Sequence, residues 1–81
     1  MNMTNTEKLV DAFAIALNID ASAVLDSLSY QGIPEWDSVS HMVLITELED
    51  AFGISIDTNE VIDMNSVFKA KEILGKYNFV F

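Results

Sequence analysis

The sequence predicts an all-α domain with three main helices and one short helix, in which a long loop joins the first two helices. Apolar residues recur at helical spacing in three segments, and each segment begins after a residue type that commonly caps a helix. The chain has 81 residues, of which 51% are hydrophobic, and this is too apolar for a disordered chain. We expect residues 1–81 to form a single domain with a small core.

The first helix is predicted over about residues 5–17. Thr4 and Glu7 have the spacing of a capping box, in which each side chain accepts a hydrogen bond from the other residue's backbone N–H. The apolar residues that follow recur at helical spacing and are Leu9, Phe13, Ala16 and Leu17.

Residues 18–37 are predicted to form the long loop. Gly32 and Pro34 argue against regular structure, while Asp20 could cap a short turn through residues 21–25. A loop of this length in a small domain is usually functional or pinned to the core. The apolar residues that could pin it are Ile19, Val24, Leu25, Leu28 and Ile33.

The second helix should begin at Asp37 or Ser38, run to about Phe52 and end at Gly53. Its core-facing stripe, with Met42 at the edge, comprises Leu44, Ile45, Leu48, Ala51 and Phe52.

Two further helices complete the prediction. A single turn should extend from Thr58 to about Met64, and the last helix should begin at Asn65 or Ser66 and run through Leu74. The apolar tail over residues 76–81 either docks on the core or marks a partner surface.

The charge balance restricts the possible partners. Thirteen acidic residues against four basic ones give a formal net charge of −9. Such a surface repels nucleic acid and anionic lipid, so we expect neither as a partner. It favours basic patches on other proteins, although the same charge could serve solubility alone.

The chain contains no cysteine, which excludes disulfides, thiolate metal sites and a cysteine nucleophile. Its first residues lack the basic start and apolar run of a signal peptide, and no apolar run approaches the ~20 residues of a membrane helix. We therefore expect a cytoplasmic protein.

Ser38 is the main candidate for chemistry. A serine in the first turn of a helix lies at the positive end of the helix dipole, which would stabilise a phosphodiester on its hydroxyl by roughly 0.3–1 kcal/mol. By itself, however, Asp37-Ser38 before an apolar run is an ordinary helix start. His41 lies three residues later, so a Ser–His pair is conceivable, but a partly packed histidine is the simpler interpretation.

The chain resembles the acyl carrier protein and peptidyl carrier protein superfamily from about Glu7 to Leu74. Asp37-Ser38-Val39 is similar to the Asp-Ser-Leu motif of that family, and residues 44–56, LITELEDAFGISI, are similar to its acidic and apolar helix ending in Phe-Gly-Ile-x-Ile. Asn65-Ser66-Val67 is similar to the start of the family's last helix, and these blocks align without gaps.

The resemblance implies an acyl-carrier-like bundle, no enzymatic activity, and a 4′-phosphopantetheine arm on Ser38. A phosphopantetheinyl transferase would attach this arm from coenzyme A with the help of magnesium, and Asp37 matches the residue that helps that complex bind metal and coenzyme. The arm would carry acyl or aminoacyl thioesters. The implied partners are a loading ligase and acyltransferase-type enzymes with basic docking patches, visited by a monomeric carrier.

The same resemblance implies that partners read the second helix. The expected contact residues are Val39, Met42, Val43, Glu47, Glu49 and Asp50. Ser40 and Val43 stand where fatty-acid carriers tend to have acidic residues, which favours a specialised pathway over bulk fatty acid synthesis.

Two other functions stay open. An interaction module on the same fold would bind partners through the acidic second helix and the apolar tail without modification of Ser38. A small hydrolase would use Ser38 and His41, but the sequence assigns it neither an oxyanion donor nor an orienting carboxylate.

Overall fold

The computed structural model describes residues 3–81, which contain four α-helices: α1 (Asn5–Leu17), α2 (Ser38–Phe52), α3 (Thr58–Asp63) and α4 (Val67–Gly75). None of these residues belongs to a β-strand, and Ser29 and Ser66 form one isolated antiparallel bridge. The predicted all-α class, the three longer helices with one short helix, and the long loop before α2 are confirmed. Residues 1 and 2, which the predicted domain includes, lie outside the described residues.

The bounds of α1 are set by the cap that the sequence predicts. Thr4 Oγ1 accepts from the Glu7 N–H at 3.1 Å, and Glu7 Oε1 accepts from the Thr4 N–H at 2.9 Å. The helix ends where Asn18 adopts the left-handed conformation with φ of 55°. Asparagine tolerates this conformation better than most residues, so both ends of α1 follow from local sequence.

The ends of the later helices also follow from local chemistry. Gly53 ends α2 with φ of 65°, a conformation that costs glycine little because it has no Cβ. Ser66 caps α4, and its Oγ accepts from the Lys69 N–H at 3.0 Å. Asp57 precedes α3, but its side chain makes no cap hydrogen bond.

A single cluster of buried apolar side chains joins α1, α2 and α4. Trp36, although it lies in the loop, is completely buried in this cluster, and its ring meets the Phe13 ring edge to face at 5.2 Å. Most of the residues predicted to face the core from α1 and α2 are buried here, while Ala16 and Ala51 are only partly buried; the buried ones are Leu9, Phe13, Leu17, Leu44, Ile45, Leu48 and Phe52. The last helix contributes Val67, Ala70, Ile73 and Leu74 to the same cluster.

The long loop is pinned to the core by four of the five apolar residues predicted for this role. Val24 is buried, and Ile19, Leu28 and Ile33 are partly buried against the core. Leu25 is the exception, since its side chain is 60% exposed. Trp36, which the sequence did not predict as an anchor, is completely buried. Asp20 precedes the short turn over residues 21–23 without a side-chain cap hydrogen bond.

The C-terminal tail docks on the core, which is one of the two alternatives expected for residues 76–81. The Phe79 ring packs on Phe52 with 4.7 Å between ring centroids, and Phe81 lies 6.1 Å from the same ring. Asn5 Nδ2 donates to the Val80 carbonyl at 3.2 Å. The tail therefore closes the end of α2 against the start of α1. Within residues 3–81, no helix combines the length and apolar character that crossing a bilayer requires.

Candidate functional site at the start of α2

Ser38 is the first residue of α2, and Asp37 is its cap. Asp37 Oδ1 accepts from the Ser40 N–H at 2.9 Å, and Ser40 Oγ accepts from the Asp37 N–H at 2.9 Å. The hydrogen bond from the Ser40 backbone, followed by that from its side chain, lowers the pKa of the Asp37 carboxyl. This carboxylate is therefore held in its ionised form at a fixed position beside Ser38.

The hydroxyls of Ser38 and Ser40 are in opposite situations. Ser40 Oγ donates to the Glu35 carbonyl at 2.7 Å as well as accepting from Asp37. The Ser38 side chain is exposed and makes no hydrogen bond within residues 3–81. The first backbone N–H groups of a helix have no acceptor within that helix. Ser38 thus presents a free hydroxyl at the positive end of the helix dipole, next to the ionised Asp37 carboxylate.

Exposed apolar side chains follow Ser38 along the first turns of α2. The side chains of Val39, Met42 and Val43 are 75%, 58% and 44% exposed. Ile62 on α3 is 73% exposed and was not identified from the sequence. Ile62 lies in a short acidic helix that shows no helical periodicity of apolar residues. Its exposure is therefore seen only from the packing of α3.

The acidic residues of α2 differ from one another in accessibility. Asp50 is exposed, as a docking residue requires. Glu47 is half-buried and lines a hollow on the α1 side together with Lys8 and Asp11. Glu49 is also half-buried, and its Oε2 accepts from the Ile56 N–H at 2.8 Å. Glu49 therefore fastens the link after α2 rather than standing free for a partner.

His41 lies one turn after Ser38, but its ring is used elsewhere. Trp36 Nε1 lies 3.0 Å from His41 Nδ1, and the Val61 carbonyl lies 2.8 Å from His41 Nε2. The indole N–H can only donate and the carbonyl can only accept. These partners select the neutral tautomer with its proton on Nε2, and they leave no ring nitrogen to act as a base for Ser38.

A hollow of about 240 Å³ lies between α2, α3 and the loop. None of the residues that line it carries a formal charge, with His41 in its neutral tautomer, and they are Tyr30, His41, Val61, Ile62, Met64 and Asn65. The Tyr30 ring packs edge to face on His41, with 5.4 Å between the ring centroids. Sequence analysis missed Tyr30 and Trp36 as parts of this site. The sequence did contain one indication, since the single tryptophan, Trp36, and the single histidine, His41, lie on either side of Asp37-Ser38.

No protein-family model matches the sequence, and no solved structure matches the chain. The case for a function therefore depends on the chemistry around Ser38.

Proposed function

We propose that this chain is an acyl carrier-type protein whose Ser38 receives a 4′-phosphopantetheine arm. One observation carries the proposal: Ser38 presents an exposed, unpaired hydroxyl at the first position of α2. A transferase needs such a hydroxyl, since a serine tied into the cap would first have to break its hydrogen bonds. The sequence resemblance around Asp37-Ser38-Val39 supports the same residue.

The residues at this position fit the group. A phosphodiester on Ser38 would lie at the N-terminus of α2, where backbone N–H groups and the helix dipole favour negative charge. Asp37 Oδ1 caps the helix, but the carboxylate is exposed and ionised, so its second oxygen would remain available to a metal-bound coenzyme. When bound, the arm supplies the thiol that this cysteine-free chain lacks. That thiol would hold an acyl or aminoacyl group as a thioester.

We further infer that the four helices form the carrier-protein bundle. The order of the helices, the short third helix and the long loop before the modified serine support this fold. Within this proposal, the sequence favours a cytoplasmic and monomeric carrier that serves a specialised pathway.

The proposed docking surface consists of exposed residues along α2 and on α3, which are Val39, Met42 and Val43 close to Ser38, Asp50 near the far end of α2, and Ile62 on α3. Apolar side chains next to acidic ones suit a partner with an apolar patch inside a basic rim. Glu49 is left out because its carboxylate already holds the Ile56 backbone. The partners would be the transferase, a loading ligase and acyltransferase-type enzymes.

The test is the intact mass of the protein after incubation with coenzyme A, magnesium and a broad-specificity phosphopantetheinyl transferase. We expect the wild type to gain one phosphopantetheine and Ser38→Ala to gain none. Ser40→Ala is the matched control, because it removes a neighbouring hydroxyl and should still be modified. A folded wild type that gains no mass, also with transferases from several carrier pathways, would overturn the proposal.

One observation favours a second candidate, an interaction module that is never modified. The apolar surface at Val39, Met42 and Val43 could bind a partner without any arm. Ser38→Ala distinguishes the two candidates. A carrier loses its cargo with this substitution, whereas an interaction module keeps its partner affinity.

A further inference from the structure

We propose that Trp36, His41 and the Val61 carbonyl form a proton-sensitive latch that holds α3 over the hollow between α2, α3 and the loop. Proton uptake by His41 releases the latch and opens the hollow. The proposal concerns hydrogen bonds within the fold, so it does not depend on whether Ser38 is modified.

The first step is that α3 has little else to hold it. None of its six residues is fully buried, although Met64, directly after it, is. Val61 is the one apolar side chain of α3 that packs against the core, and it is only partly buried. The other side-chain attachments of α3 are polar. Glu60 accepts a hydrogen bond from the Tyr77 hydroxyl and lies 4.0 Å from Lys76 Nζ. The bond from His41 Nε2 to Val61 is thus one of the few contacts that fix α3 against α2.

The second step is that the latch accepts only one protonation state of His41. Trp36 is completely buried, and its indole N–H finds its acceptor on His41 Nδ1. A proton on Nδ1 would place two N–H groups against each other and leave the buried indole without a partner. The protonated His41 ring must therefore move away from Trp36. Because His41 Nε2 is bonded to the Val61 carbonyl, this movement also displaces α3.

The third step concerns the charges around the ring. The loop contributes the Tyr30 phenol ring, and the cap of α2 contributes Asp37, whose carboxylate accepts from the Ser40 N–H. On α3, Glu60 and Asp63 flank the segment that contains Val61, but Glu60 is bound to Tyr77 and Asp63 is exposed. The residues lining the hollow include no carboxylate. No acidic group is therefore placed to pair with an imidazolium in the closed arrangement.

The chain offers a clean readout. Trp36 is the single tryptophan and His41 the single histidine, so indole fluorescence between about pH 5 and pH 8 reports on this contact. Amide hydrogen exchange of Val61 and Met64, corrected for the intrinsic effect of pH, reports on α3. Amides of α1 serve as the internal reference.

We expect the protection of the α3 amides to fall at least about fivefold from pH 7.5 to pH 5, the factor that losing one ordinary hydrogen bond gives. Protection in α1 should stay constant. His41→Gln is the decisive variant, because its amide can accept from Trp36 and donate to Val61 but takes up no proton in this range. In His41→Gln, α3 should stay closed over the hollow, and the protection of its amides should no longer depend on pH.

A second variant tests the hydrogen bond between Tyr77 and Glu60 separately from the latch. Tyr77→Phe removes the hydrogen bond to Glu60, so it should lower α3 protection equally at both pH values and keep their ratio. The proposal is overturned if α3 and α1 lose protection together, or if a folded His41→Gln keeps the wild-type pH dependence. It is also overturned if imidazole nitrogen shifts of the wild type show the proton on Nδ1 at neutral pH, a measurement that needs no variant.

Discussion

The two ends of α2 are built in opposite ways. At its C-terminal end, Phe52 is buried and packed against Phe79 and Phe81, and Gly53 turns the chain away. At its N-terminal end, Ser38 has a free hydroxyl and Val39 is 75% exposed. The C-terminal end of α2 therefore stabilises the fold, whereas its N-terminal end stays accessible. Substitutions at the two ends should change stability and modification separately.

The largest effect is expected at the closed end. Phe52→Ala removes the ring on which the tail docks, and such substitutions cost about 3–5 kcal/mol. That is a large part of the roughly 4–12 kcal/mol expected for 81 residues. Urea denaturation should show this loss, while the molecules that remain folded should still be modified at Ser38. A stability equal to that of the wild type would show that the tail does not depend on Phe52.

A smaller effect is expected at the open end. Ser40→Ala removes the hydroxyl that accepts from the Asp37 N–H and donates to the Glu35 carbonyl. The expected loss in the free energy of unfolding is about 1 kcal/mol, a typical value for a capping interaction. Ser38→Ala is the control and should stay within about 0.5 kcal/mol of the wild type. Equal losses for the two variants would contradict the difference between the two hydroxyls.

Acid should affect the helix starts. Hydrogen bonds from Ser40 lower the pKa of Asp37, and those from Thr4 lower the pKa of Glu7. A carboxylate with a lowered pKa in the fold adds stability above its unfolded pKa, and that stability is lost as pH falls through the folded value. Thermal unfolding from about pH 5 to pH 2 should therefore show a decline that Asp37→Asn and Glu7→Gln make shallower. An unchanged slope in both variants would refute this assignment.

Alkali should weaken the contact between Tyr77 and α3. The hydrogen bond to Glu60, followed by burial, raises the pKa of the Tyr77 hydroxyl. Its protonated form therefore stabilises the fold below the unfolded pKa near 10, and this contribution is lost as pH rises through the folded value. Absorbance of ionised tyrosine and thermal unfolding should report the loss together. Tyr77→Phe should show less destabilisation above pH 10 than the wild type.

Local sequence was sufficient to predict the helices, but it left open whether α2 begins at Asp37 or at Ser38. Capping at Thr4 and Asp37, apolar spacing and Gly53 fix the bounds of α1 and α2, because these signals act over a few residues. The family resemblance implied Val39, Met42 and Val43 as contact residues, and all three side chains are exposed.

Contacts between distant segments could not be predicted. His41 reaches Val61 across 20 residues, and Glu49 bonds to the Ile56 backbone, so neither partner is visible in local spacing. The exposure of Leu25 also depends on how Trp36 and Val24 fill the core. Sequence patterns identify which residues are apolar, whereas packing decides which of them find room inside.

The central claim is that Ser38, and not its neighbour Ser40, carries the chemistry of this chain. It is tested most directly by fragment-ion mass spectrometry of the peptide around residues 35–52 after phosphopantetheinyl transfer. We predict that the added group lies on Ser38 in the wild type and in Ser40→Ala, and that Ser38→Ala carries none. An added group on Ser40, or modification that persists in Ser38→Ala, would contradict the claim.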